Sequence, residues 1–234
     1  MSLRALREFA LGMRKRKYTP LSRSTVDSVS LHESTYVDSS NLETAFPSPT
    51  IHNIVSTSQI KSGAVIDLPA LSMLLPFSFY DKQRFAAITI RLKSPDCTTL
   101  LFSSGKLVVT GGRNWYECVL ASLCVCNILR QSFPSREFNL INCEIQNIVA
   151  HVELPVASDE MLDIHSMYSK LELHCMYQKT MFPGLIYRPE SSPVVLLCFY
   201  SGKIVITGGK TTQDVFEGWK KLWPTVKVFM RKKK

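Results

Sequence analysis

The string Gly208, Gly209, Lys210, Thr211, Thr212 carries the groups that cradle a phosphate, glycine amides beside a lysine ammonium. A phosphate loop also needs a glycine five residues before Gly209, and position 204 is Ile, so the string reads as the end of a hairpin. The five histidines (His32, His52, His151, His165, His174) have no ligand spacing, and the lone His174–Cys175 step is too little for zinc. Seven cysteines (Cys97, Cys118, Cys124, Cys126, Cys143, Cys175, Cys198) contain no CxxC pair and are odd in number. With no apolar secretory block ahead of them, they are expected to be reduced, packed thiols. Neither paired carboxylates nor a nucleophile–base arrangement stands out. The expectation is a protein that is not an enzyme and holds no metal or cofactor.

The 234 residues, 45% hydrophobic and 20% charged, suffice for one or two packed domains and exclude collagen-like, coiled-coil and wholly disordered chains. No apolar run approaches the roughly 18 residues of a membrane helix, so a soluble intracellular protein without a membrane partner is expected. The net charge of +9 is unevenly spread: residues 1–23 carry +6, the last four residues +4, and residues 24–230 only −1. Residues 18–50 hold 13 Ser/Thr and no sustained period, the composition of a tail. Residues 1–45 are therefore expected to form a basic, Ser/Thr-rich tail, with another basic tail at 231–234.

The rest of the chain repeats itself. FSSGKLVVTGGR (102–113) returns as FYSGKIVITGGK (199–210), RFAAITIR (84–91) as MFPGLIYR (181–188), and HNIVST (52–57) as QNIVAH (146–151). Phe85 to Phe182, Arg91 to Arg188, Phe102 to Phe199 and Thr110 to Thr207 are all 97 apart, and Asn53 to Asn147 is 94. Two copies of one unit follow, over 46–139 and 140–230. Within each, two β-rich runs joined by a Ser-Gly turn read as a hairpin. Before the first hairpin, Ala86, Ile88, Ile90 and Leu92 alternate with Ala87, Thr89, Arg91 and Lys93, which predicts a strand. After the hairpins, Trp115, Val119, Leu123, Cys126 and Leu129, and then Val215, Phe216, Trp219 and Leu222, have helical spacing over 114–131 and 211–223. Each copy is thus several antiparallel strands with a helix behind them. The hairpin strands are apolar on both faces, Leu101, Leu107 and Val109 alternating with Leu100, Phe102 and Val108, and VVLLCF (194–199) repeats this. Helices can cover one face; the other is an apolar surface that needs a ligand.

At these motifs both copies resemble the core of the TATA-box-binding protein family, over roughly 50–230. The resemblance implies an α+β fold, a two-repeat saddle of curved antiparallel sheet with helices on the convex face and DNA beneath the concave one. It also implies a nuclear transcription initiation factor that binds and bends A·T-rich promoter DNA through the minor groove, a mechanism for which this family is a standard illustration. By the resemblance, Phe85 with Phe102 and Phe182 with Phe199 match the wedge pairs, and Asn53 and Asn147 match the central amides. Thr110 and Thr207 stand beside those amides, Val55, Val108, Val149 and Val205 match the apolar floor, with Leu100 and Leu197 nearby, and Arg91 and Arg188 match phosphate contacts. The types suit the task, since a groove that separates mainly A·T from G·C needs few polar groups. Each has a structural alternative: the apolar residues as core, the asparagines as makers of local hydrogen bonds, the arginines as solvated edge charges.

Three departures accompany the resemblance. The family's basic first-repeat helix, which meets transcription factor IIA, here has only Arg130 as a base, with Trp115, Cys118, Cys124 and Cys126 in its place. The acidic stirrup that docks transcription factor IIB here reads Tyr177, Gln178, Lys179, Thr180, Met181, which weakens that electrostatic contact. Arg188 and Pro193 are one residue further apart than the family pattern. Residues 46–230 carry only +3, so DNA binding is expected to be weaker and less salt-sensitive than a typical member's unless the basic ends contribute. Partners implied are A·T-rich duplex DNA, a factor IIB-like protein and the RNA polymerase machinery. The alternatives are a protein-interaction scaffold with weak or no TATA binding and a curved sheet holding a small apolar ligand.

Overall fold

The computed structural model describes residues 46–154 and 160–232, so the expected tail at 1–45 lies outside the described residues, as do Lys233 and Lys234. The larger compact unit, Pro47–Lys234, is considered by itself below. Its elements in chain order are β1 (Thr50–Lys61), α1 (Leu68–Leu74), β2 (Ser78–Phe79), β3 (Ala87–Lys93), β4 (Asp96–Phe102), β5 (Lys106–Gly112) and α2 (Trp115–Ser132). Then follow β6 (Asn139–Glu153), β7 (Glu160–Leu162), α3 (Ile164–Lys170), β8 (Cys175–Met176), β9 (Leu185–Tyr187), β10 (Val195–Cys198), β11 (Lys203–Gly209), α4 (Thr212–Lys227) and β12 (Met230–Lys232).

Ten strands form one antiparallel sheet in the order β2-β3-β4-β5-β1-β6-β11-β10-β9-β8. The order reads outward from the β1–β6 seam as the same strand succession in both directions. At the seam Ile54 faces Ile148, Asn53 faces Val149 and Val55 faces Asn147, so the two copies meet about a pseudo-two-fold axis. Strand period two then sorts the side chains. Ile54, Leu101, Leu107, Val109, Ile148, Ala150, Leu196, Ile204 and Ile206 are buried under the helices. This is the curved sheet with helices on one face, the α+β saddle.

The long helices start where their caps dictate. Asn114 Oδ1 accepts from Glu117 N at 2.9 Å and begins α2; Thr211 and Asp214 form a reciprocal capping box that begins α4. The short helices are capped by Asp67 and Asp163, each accepting from the backbone N–H three residues on. The buried arc of α2 comprises Cys118, Val119, Ala121, Ser122, Val125, Cys126 and Leu129, while Trp115 and Leu123 are only half-buried at its margins. In α4 the arc runs through Val215, Gly218, Trp219, Leu222, Trp223 and Val226, leaving Phe216 exposed, and the helix passes Pro224 to end at Lys227. Ala86 is also exposed, because β3 begins one residue later. The basic end at 231–234 is not wholly a tail. Arg231 and Lys232 pair with Met161 and Glu160 in a two-stranded ladder, and Arg231 lies 3.6 Å from the Asp163 carboxylate.

Candidate nucleic-acid interface

The strand residues between those buried ones form the second face of the sheet. Asn53, Val55, Leu100, Phe102, Val108, Thr110, Asn147, Val149, Leu197, Phe199, Val205 and Thr207 are all half-buried on strands, or for Phe199 immediately after one, and alternate with core residues. Leu100 faces Val108 and Leu197 faces Val205. The apolar floor therefore spans both halves with matched pairs.

At each end of the floor stands a pair of phenylalanine rings. Phe85 and Phe102 meet edge to face with centroids 5.9 Å apart at 64°, and Phe182 and Phe199 do so at 5.7 Å and 67°. Phe85 and Phe182 precede their strands and are set by the same turn, their amides donating at 2.9 Å to Asp81 O and Gln178 O. Close approach explains Gly184. A Cβ there would lie 2.8 Å from Phe182 Cε1 and 2.9 Å from Phe199 Cε1. The corresponding residue in the first copy is Ala87, paired with Phe102 across β3 and β4. Phe85 is 48% exposed, a large cost for an aromatic ring with no ligand.

At the centre the asparagines are held by matching bonds to Oδ1, and Asn147 has one more, its Nδ2 donating to Thr207 Oγ1 at 3.1 Å. Asn53 Oδ1 accepts from Gly111 N at 2.7 Å and Thr110 Oγ1 at 3.2 Å; Asn147 Oδ1 accepts from Gly208 N at 2.8 Å and Thr207 Oγ1 at 3.3 Å. Gly111 and Gly208, with φ of 102° and 100°, supply a backbone turn that brings these N–H groups inward. The local bonds expected as an alternative role are thus real, and they serve to orient the amide. With Oδ1 committed, Asn53 offers both Nδ2 hydrogens and Asn147 the one that its bond to Thr207 Oγ1 leaves. Arg91 and Arg188 are exposed towards the sheet's ends, Arg91 opposite Thr98. Every candidate residue read from the sequence therefore lies on this face or at its rim.

Four neighbours of the asparagines were given no role at this face by the sequence reading: Thr57 and Gln146, and His52 and His151, weighed there only as metal ligands. Gln146 Nε2 donates to Thr57 Oγ1 at 2.8 Å, and the rings of His52 and His151 meet at 5.6 Å.

Burial pushes the Cys97, Cys118, Cys143 and Cys175 thiols up to about 11, so they are held as thiols near neutrality. Among the described residues no cluster of three or more His, Cys, Asp or Glu could hold a metal ion, and no helix is long and apolar enough to cross a membrane.

The family model "Transcription factor TFIID (or TATA-binding protein, TBP)" matches residues 48–132 and again 142–229. The chain belongs to the TATA-binding protein family. The TATA-box-binding protein of Acanthamoeba castellanii is 34% identical over 185 residues, 78% of this chain and 68% of that protein. TATA-box-binding protein 2 of Arabidopsis thaliana is 34% identical over 186 residues, 78% of this chain and 88% of its own length. Among solved structures, Methanococcus jannaschii TBP superposes with a TM-score of 0.62 at 30% identity, covering 78% of this chain and 99% of that one.

The departures from the TATA-binding protein family pattern now have positions. Cys118 and Cys126 are buried against the sheet, so they give α2 no surface chemistry. Arg130, the helix's single base, is spent on Phe138 O through Nε at 2.9 Å and Nη2 at 2.6 Å. In the edge loop, Lys179, Thr180 and Met181 are exposed, Met181 by 81%.

Proposed function

We propose that this protein is a nuclear transcription initiation factor that binds A·T-rich promoter DNA in the minor groove, bends it, and presents its helical side to the initiation machinery. The observation that carries this reading is the open sheet face: apolar, ended by two phenylalanine pairs and centred on two oxygen-committed asparagine amides. A·T and T·A pairs show only acceptors in the minor groove, and G·C adds an amino donor. Two outward Nδ2 groups over a valine floor suit the first and clash with the second. Wedging a ring between bases costs about a few kcal/mol per step, offset by the apolar contact that a bent, widened groove makes with the floor.

The division into copies at 46–139 and 140–230 belongs to this proposal, each half taking one half of the site. A factor IIB-like protein would meet the edge loop from Tyr177 to Met181, with charge reversed by Lys179, and the RNA polymerase machinery would follow. Gel shift and end-to-end energy transfer on a TATA duplex test the reading. Wild type should bind and shorten the end-to-end distance, and Phe182→Ala/Phe199→Ala should bind at least tenfold more weakly and bend less. Absence of binding at low salt, or an unaltered bend in the variant, refutes it. Stable capture of initiation proteins by a chain that ignores DNA would favour the scaffold reading, for which the altered α2 and edge loop speak.

A further inference from the structure

Minor-groove edges of A·T and T·A pairs carry the same acceptors, so a face with two identical halves would sit on an A·T tract in either direction. This face has unlike halves beside its central asparagines. On one side of the axis Gln146 Nε2 donates to Thr57 Oγ1 at 2.8 Å. The residues related to them by the 94-residue repeat are His52 for Gln146 and His151 for Thr57. An amide–hydroxyl pair is thereby exchanged for two imidazoles, their ring centroids 5.6 Å apart at 63°.

Both rings stand on the open face. His151 lies between the buried Ala150 and Val152 and opposite Val205, so it points with Val149 and Asn147. His52 is exposed and meets it there. The two pairs offer different chemistry. Gln146 spends an N–H on Thr57 and retains Oε1 as an acceptor, which can take the amino group of a G·C pair. His151 Nδ1 is buried without a partner, which leaves Nε2 as the nitrogen to meet the groove; donating there it suits an A·T acceptor and opposes a guanine amino group.

We propose that His52 and His151 set the direction in which the protein sits on DNA, the imidazole side taking the half-site that is wholly A·T and the Gln146–Thr57 side tolerating a G·C pair. The inference rests on the groove-binding reading above.

The test uses the full chain with a dye at its C-terminus and a duplex with one G·C pair in one half of the site, labelled at either end. Energy transfer reads the ratio of the two orientations. Wild type should favour the stated direction about fivefold, the worth of about one neutral hydrogen bond. His52→Gln/His151→Thr, which copies the opposite pair, should bring the ratio below about twofold. Adding Thr57→His/Gln146→His to that variant should reverse the preference. His52→Gln alone, at an exposed position, should lower the ratio without any change in folding. Binding without preference in wild type, or a ratio unchanged in these variants, overturns the inference alone. Failure of wild type to bind any A·T duplex overturns the groove reading with it.

Discussion

Replacing both central amides by carboxylates, Asn53→Asp with Asn147→Asp, changes one functional group at each site and keeps the acceptor oxygens, at the loss of the Asn147 Nδ2 bond to Thr207 Oγ1. The oxygens that accept from Gly111 N at 2.7 Å and Gly208 N at 2.8 Å are present in either side chain. What changes is the outward group, from an NH2 donor to an anionic oxygen. Facing an adenine N3 or thymine O2, that oxygen forfeits a hydrogen bond and leaves two acceptors opposed without water, at about 1–3 kcal/mol per site. Each single variant should thus weaken A·T binding about 5- to 150-fold, and the double variant at least about 25-fold. Two added negative charges also weaken attachment to any duplex, so affinity alone does not isolate the effect. The ratio between an all-A·T site and one with central G·C pairs does, because charge repulsion cancels in it. A carboxylate accepts from the guanine amino group, so the A·T preference should shrink or invert. Fluorescence anisotropy on the two duplexes at matched salt gives the ratio, and thermal melting within about 3 °C of wild type certifies the fold. A double variant that keeps the wild-type A·T preference refutes the assignment of Nδ2 as the groove-reading donor.

Gly208→Ala would place a Cβ 2.8 Å from Pro193 O at φ of 100°, and should cost about 1–3 kcal/mol and several degrees of melting temperature, whereas Gly63→Ala, with nothing within 4 Å, should lose less. Arg91→Ala and Arg188→Ala should each reduce the slope of log affinity against log salt by about 0.9 with A·T preference intact, and deleting residues 1–23 should lower it further; an unchanged slope would remove these groups from the phosphate contacts. The Asp163 carboxyl is held below its ordinary range by bonds from Ser166, first from the backbone N–H, and by nearby Arg231. Its stabilisation is therefore present above the ordinary aspartate range and lost as pH falls through the lower folded value, so chemical denaturation of Asp163→Asn should show a shallower loss of stability on the acid side.

Much of this fold is written in local pattern. Period-two alternation in AITIRLK and in the paired LVVTGG and IVITGG strings is strong because one face is wholly buried, and the two long helices carry one apolar arc each. The helices Leu68–Leu74 and Ile164–Lys170 escape such a reading because seven residues show only one apolar repeat, Leu68 with Leu71 and Ile164 with Met167. Their signals were the capping residues Asp67 and Asp163. The pairing of Met230–Lys232 with Glu160–Leu162 joins segments 70 residues apart and has no local signature, so a basic run looked like a tail. Phe216 has helical spacing to Trp219, yet Gly218 and Trp223 centre the buried arc away from it. The candidate site was legible for a different reason: each of its residues occurs twice.

That same reason marks where the sequence is silent. Likeness between copies picks out what the two half-sites share, namely the wedges, floor, amides and flanking bases, and passes over positions at which the copies have parted. Yet a structure with a pseudo-two-fold axis on a groove that reads A·T and T·A alike can acquire direction only from such positions. Thr57 and His151 are related by the repeat yet share neither size nor hydrogen-bonding group. The pairing of β1 with β6 shifts register at three places, between Ile51 and Asn53, where His52 is the extra residue, between Val55 and Ser56, and between Thr57 and Gln59. Those shifts let Gln146 reach Thr57 across the seam and bring His52 to His151 on the other side. Direction on DNA is in this sense a property of two bulged central strands, and substitutions confined to the wedges should change affinity and bend without reversing it.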